Sequence, residues 1–217
     1  MAISTYSELQ TAVGNWLNRT DLTDRIPEFI ALAEAQMNRR LRVRQMVTRA
    51  EAALASEFVG VPADLLEPIQ LTLEISESDI RFLQYLAPER MLAEKAALGA
   101  ITAAEPQFYS IVGTQIQLLP QPDQSYTSEF TYYAKLPALA SNSTNWLLSA
   151  YPDAYLYGSL VQGAPYLIED ERAVTWGTMF QAALNDIQMS NRVSGGRART
   201  DLVGALGRGT SNINTGV

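Results

Sequence analysis

The sequence contains neither cysteine nor histidine. Without Cys there is no disulfide, no thiolate metal site and no thiol nucleophile. Without His the commonest general base is missing, and with it the Ser-His-Asp triad and nearly every zinc site. Charge is modest as well. Of the 217 residues 18 % are charged and 47 % hydrophobic, a balance too apolar for a disordered chain. No run approaches the ~18 consecutive apolar residues of a membrane-spanning helix. The N-terminal MAISTYSEL lacks a basic segment ahead of an apolar one, so neither a signal peptide nor a membrane partner is expected.

The net charge of −7 is unevenly spread. Residues 192–217 hold Arg192, Arg197, Arg199 and Arg208 against Asp201, a balance of +3 that leaves −10 for the remainder. An acidic body repels phosphate, whereas tight nucleic-acid binding comes mainly from Lys and Arg displacing counterions. Tight nucleic-acid binding by the body is therefore not expected.

The strongest pattern lies in Arg25–Gln45, where Ile26, Phe29, Ile30, Ala33, Met37 and Leu41 recur at steps of three and four. That spacing puts them on one face of a helix, with Pro27 suited to its first turn. Glu28 and Glu34 precede Arg39, Arg40, Arg42 and Arg44, the order the helix dipole favours. About 18 residues give roughly 27 Å, enough for the spine of a small domain. The four Arg are either a solvated helix end or a docking patch for a partner. Ahead of them Thr5–Glu8 has the capping-box form and opens a helix to about Leu17, with Leu9, Ala12, Val13 and Trp16 on one face. The two helices read as an antiparallel pair.

After Met46 the period shifts towards 2. Strands are predicted over Val47–Ala55, Pro68–Leu73 and Ile80–Leu86. Phe58–Pro62 reads as a turn and Pro62–Leu66 as one helical turn. Pro88 starts a helix that Gly99 can end. Phe108–Val112 and Gln115–Leu119 form a hairpin around Gly113-Thr114, and Tyr126–Lys135 is a longer strand. Phe130, Tyr132 and Ala134 fall on one face of it and Thr131, Tyr133 and Lys135 on the other; Tyr exposed on such a sheet would be a base-stacking platform, and core or subunit packing is the expected role. Pro152 opens a helix in which Gly158 and Ser159 allow close approach and which Pro165 should end or kink. Glu169-Asp170-Glu171 opens the last helix, with Ala173, Trp176, Phe180, Ala183, Leu184 and Ile187 facing inward. The three acids fit a helix N-terminus or, less simply, a divalent-metal site.

Past Asn191 the helical pattern stops. RVSGGRARTDLVGALGRGTSNINTGV holds five Gly between 195 and 209, too many to order itself. Leu202, Val203 and Leu206 among the Arg are nevertheless not what a spacer contains. This composition predicts a flexible basic arm that orders on another protein's surface. No catalytic constellation is found; Glu89, Glu94 and Asp153 are the acids a two-carboxylate glycan hydrolase would need, and nothing in the sequence pairs them.

The order of elements carries more. IPEFIALAEAQMNRRLR, VPADLLEPIQLTL, the strands ending in YYAKLPALA, then NWLLSAYPDAYLYGSLVQGAPYL and DERAVTWGTMFQAAL together resemble the head-to-tail adaptor (connector) family of tailed bacteriophages, the group that includes podovirus tail tubular protein A. The resemblance runs from about Tyr6 to Ile187. It implies an α+β fold: a bundle of four to five helices, a small antiparallel β domain and an extended C-terminal arm. The expected divisions are 1–46 (helical pair), 47–139 (β-rich, with the inserted helix 88–98), 140–191 (helices completing the bundle) and 192–217 (arm). It further implies a structural virion protein of the neck or tail, put together in the host bacterial cytoplasm. As such it would form a homo-oligomeric ring, usually twelve-fold, between the portal protein and a tail nozzle or next tail component. Genomic DNA would pass through the lumen without specific binding. No catalytic, cofactor or metal residue is implied. Arg192, Arg197, Arg199, Leu202, Val203, Leu206 and Arg208 are the expected portal-docking set, with Arg39, Arg40, Arg42 and Arg44 as a second interface patch. The alternatives are a terminator- or stopper-type neck ring and, more remotely, the hydrolase.

Overall fold

The computed structural model describes residues 3–76, 79–99, 103–167 and 170–206. The chain divides into two compact units, Met1–Gln45 with Leu136–Val217, and Met46–Lys135.

The first unit is helical. It comprises α1 (Tyr6–Leu17), α2 (Ile26–Arg40), α4 (Trp146–Ala150), α5 (Pro152–Leu167) and α6 (Asp170–Leu206), while α3 (Pro88–Leu98) belongs to the other unit. Thr5 caps α1 in a complete capping box, the hydroxyl accepting from the Glu8 N–H while the Glu8 carboxylate accepts from the Thr5 N–H. Two bonds donated by the Ser4 N–H and hydroxyl, with that from Thr5, hold the Glu8 carboxyl down at about 2. Leu9, Val13 and Leu17 are buried. Trp16, expected inward, is 47 % exposed and meets Tyr157 edge-on, because Leu17 rather than Trp16 completes the buried stripe.

The spine helix is shorter than expected. It ends at Arg40, where Leu41 turns to an extended conformation, so its 15 residues span about 22 Å. The centre of the unit is α5, which packs against α1, α2, α4 and α6. Its sequence PDAYLYGSLVQGAPYL carries no charge after Asp153, so it is apolar around most of its circumference and can be surrounded. Gly158 lets α2 and α6 approach: a Cβ there would lie 3.2 Å from the Ala33 Cβ and 3.0 Å from the Phe180 ring. Pro165 neither stops nor shortens α5 by more than its last turn, which ends at Leu167. Trp176, Phe180, Ala183, Leu184 and Ile187 of α6 are buried as their spacing requires, and Ala173 is half-buried.

Beyond Asn191 the backbone stays helical to Leu206, through Gly195-Gly196. The expected break after Asn191 is therefore not there. Each Gly costs about 1 kcal/mol in a helix interior, but Arg, Ala and Leu in RARTDLVGAL are strong helix formers. Residues 207–217 lie outside the described residues, as does Glu169 of the acidic triplet.

The second unit is not a small antiparallel domain. It is a seven-stranded mixed sheet of β1 (Val47–Leu54), β2 (Phe58–Gly60), β3 (Leu65–Ser76), β4 (Asp79–Tyr85), β5 (Phe108–Val112), β6 (Gln115–Leu119) and β7 (Tyr126–Ala134). The order is β1-β7-β3-β4-β5-β6-β2. Every pair is antiparallel except β4–β5, which are joined through α3 (Pro88–Leu98), the crossover that a parallel pair demands. Phe58–Gly60, read as a turn, pairs with β6, and the helical turn expected over Pro62–Leu66 gives way to β3 from Leu65. Three residues beside Gly and Pro are too few to show a period.

The edge strands β1 and β2 are neighbours in sequence. Laid flat, seven strands would hold them roughly 29 Å apart. The connection from Leu54 to Phe58 reaches at most about 14 Å. The sheet must therefore curl into a near-barrel, and it does so around one core. Leu54, Leu71, Leu73, Leu83, Tyr109, Ile116, Leu118, Phe130 and Tyr132 point inward. Tyr132 stacks on Phe130 at 5.2 Å between ring centres and donates to Asp64, and burial, helped by that carboxylate, pushes its phenol up to about 12. The aromatic face of β7 is core, not a stacking platform. Pro68 sits within β3 where only β7 pairs with it, since the β3–β4 ladder begins at Leu71, so its missing N–H breaks no ladder bond on that side.

Candidate assembly surface

The Arg stretch at the end of α2 is built from the helix terminus outward. The last carbonyls of a helix have no partner within it. Here Arg42 supplies one, its guanidinium donating to the carbonyls of Asn38 (2.8 Å) and Leu41 (2.6 Å). Three amide side chains of α6, spaced so that they face one side of that helix, meet this terminus, one as donor to a carbonyl and two as acceptors. Gln188 donates to the Arg40 carbonyl at 3.2 Å, Asn191 accepts from the Arg44 N–H at 2.9 Å, and Gln181 accepts from the Arg40 guanidinium at 2.6 Å. Arg40, Arg42 and Arg192 thereby surround one shallow depression together with Gln188 and Asn191.

The four Arg are not equivalent in this arrangement. Arg42 is half-buried and caps the helix; Arg40 is tied to α6. Arg39 and Arg44 are exposed, and their side chains have no hydrogen-bond partner among the described residues. Of the seven arm residues, Arg192 is exposed beside this patch, a juxtaposition 148 or more positions apart in sequence and invisible to a local reading. The backbone of Arg197, Arg199, Leu202, Val203 and Leu206 belongs to α6. Arg208 falls outside the described residues.

Sequence reasoning missed a buried polar network in the same helical unit. Glu34, assigned above to the dipole, is only 8 % exposed. Its carboxylate accepts from the Leu139 N–H at 2.9 Å and from the Tyr155 hydroxyl at 3.3 Å. The Asn145 amide donates to the Tyr155 oxygen at 2.6 Å and to the Pro137 carbonyl at 2.9 Å, while its own oxygen caps α4 at the Leu148 N–H. One network so joins α2, the returning segment 136–145, α4 and α5. Burial pushes the Glu34 carboxyl up despite its two donors, and burial beside Glu34 pushes the Tyr155 phenol up more strongly. A buried acid in a cleft would suggest catalysis, but this one is enclosed by its own structural partners.

The acids weighed for glycan hydrolysis stand on ordinary helix positions. Glu94 pairs with Arg90 on α3, Glu89 is exposed at the start of that helix, and Asp153 lies in the first turn of α5, in the other unit. Among the described residues no group of three or more acids could hold a metal ion.

No curated protein matches the sequence. A family model does: that of the SU10 adaptor protein matches residues 4–201, nearly the whole chain and well past Asn191 into the last stretch of α6. The match covers far more than half of the sequence, and the chain belongs to the SU10 adaptor family as a structural head-to-tail adaptor protein of a bacteriophage virion.

Proposed function

We propose that this adaptor sits in the virion neck as a ring, twelve-fold, between the portal protein and the next tail component, after assembly in the host cytoplasm. The residues 192–217 form its portal-docking arm. The observation that carries this reading is the overrun of α6. Ile187 is its last buried side chain among those described, yet the helix continues to Leu206. Residues 192–206 alone add about 22 Å of helix, bearing Arg197, Arg199, Leu202, Val203 and Leu206. Arg pairs with acidic residues of the portal, and the apolar side chains supply buried contact. A single arm binds weakly and a ring of them tightly, since linked sites raise the effective concentration of one another.

Deleting 192–217 tests this. The truncated chain is expected to melt as the full chain does but to lose co-sedimentation with portal rings. Its helical circular dichroism falls, because part of α6 goes with the arm. Normal assembly of the truncated chain would refute the docking role. The acidic body suits a lumen through which DNA slides, because a phosphate-binding wall would hold the duplex. A chain ending at Asn191 is expected to bind duplex DNA weakly at physiological salt; sub-micromolar affinity would rule out a non-adhesive lumen.

A further inference from the structure

The outer face of the sheet, where β1, β7, β3 and β4 lie side by side, carries a row of unlike character to the rest of the domain. Strand register places Glu51 opposite Glu129, Glu129 opposite Thr72, and Thr72 opposite Phe82. The next row holds Glu74 opposite Ile80. These residues line one concave surface. Phe82 is 70 % exposed and Ile80 57 %, and neither Glu51 nor Glu74 has an ion-pair partner among the described residues.

Two features of this surface are costly as they stand. Like charges directly opposite each other on paired strands are destabilising, and Glu51 faces Glu129 with only Arg49, 3.2 Å from Glu129, to offset it. Two large apolar side chains stand in water next to them. A cationic partner with long apolar stems relieves both. Guanidinium groups neutralise the carboxylates and stack on Phe82, while their methylenes cover Ile80.

The chain itself carries such a partner in Arg39 and Arg44. We infer that the Glu51–Glu74–Glu129 face with Ile80 and Phe82 seats the Arg39–Arg44 patch of a second copy of the chain. The inference rests on the ring reading above and names the surfaces that make the ring. Two different, complementary patches give a head-to-tail contact, the kind that closes into rings when the rotation allows. Either patch against itself would set like charges together, which costs several kcal/mol at an interface.

Because the chain has no Cys, engineered thiols report the contact without background. One population carries Phe82→Cys and a second carries Arg39→Cys or, separately, Arg44→Cys. The two are mixed, assembled on portal rings and oxidised. A mixed disulfide dimer is expected, with none from either population alone. In parallel, the double change Glu51→Lys and Glu74→Lys should weaken ring assembly by roughly tenfold or more, as like-charge contacts do. Adding Arg39→Glu and Arg44→Glu to the same chain should restore it. All four positions are exposed, so melting serves to check that each variant folds. Rings that form on the portal without the mixed disulfide, and a charge swap that fails to rescue, overturn the inference and leave the ring reading standing. Failure of the unaltered chain to assemble on its portal overturns the reading, and this inference with it.

Discussion

Replacing Gly158 by Ala tests whether α5 is the packed centre of its unit. The added Cβ would lie 3.0 and 3.3 Å from two atoms of the Phe180 ring and 3.2 Å from the Ala33 Cβ. Carbon atoms in good contact are separated by about 3.5–4.0 Å. Ala33 cannot retreat without moving the α2 backbone, and Phe180 is 2 % exposed with nowhere to turn. Overpacking of this kind costs about 1–3 kcal/mol. Ala is favoured over Gly in a helix by about 1 kcal/mol, which leaves a net loss of up to about 2 kcal/mol. The control is Gly177 on α6, where a Cβ meets nothing within 4 Å. There the helix preference acts alone and Gly177→Ala should stabilise by up to about 1 kcal/mol. For a chain of this size each kcal/mol moves Tm by about 2–4 °C. Thermal melts followed at 222 nm should shift down for Gly158→Ala and up for Gly177→Ala. Equal shifts in one direction would show that the α2–α5–α6 contact is loose and that the reasoning from close approach is wrong.

Two further predictions concern buried polar groups. The folded Glu34 carboxyl is raised by burial above its ordinary range near 4.3, so its favourable contribution is complete below that range and is lost as pH rises through the raised value. Glu34→Gln keeps an acceptor for Leu139 and Tyr155 without the buried charge. Its melting advantage over the unaltered chain should therefore grow from pH 4 towards neutral, and an advantage that shrinks with pH would refute the assignment. Ser110 is fully buried with an unpartnered hydroxyl, whose desolvation costs about 1–3 kcal/mol. Ser110→Ala should thus leave denaturant stability unchanged or raised, and a clear loss would mean that the hydroxyl has a partner.

What the sequence made legible follows from the range of the interactions involved. Capping at Thr5, the buried stripe of α2, the hairpin at Gly113 and the inward set of α6 are local patterns, each complete within a few turns or strands. The closure of the sheet was not legible, because it depends on β2, three residues that acquire a partner only from β6 some 55 positions away. Glu34 looked like an ordinary dipole charge, and nothing near it in sequence announces Tyr155 or Leu139. The centrality of α5 had a signal that was available, its lack of charge after Asp153. The candidate surface at the end of α2 was half legible. The Arg cluster stood out, but its division into the capping Arg42 and the outward Arg39 and Arg44 is decided by amides on α6. The helical stretch past Asn191 went unread because glycine content outweighed the helix formers between the glycines.

The register of β1 against β7 has a consequence for how such a chain can be rebuilt. The β unit interrupts the helical unit between Gln45 and Leu136; its first strand begins at Val47 and its last ends at Ala134, and Val47 lies directly opposite Tyr133. Its entry and exit are thus about 5 Å apart, the spacing of a hairpin's two arms. The sheet is a cassette with its ends side by side. It can be lifted out and the gap sealed with a short turn, or another domain with paired terminal strands can be set in its place, while the backbone of the helices on either side keeps its path.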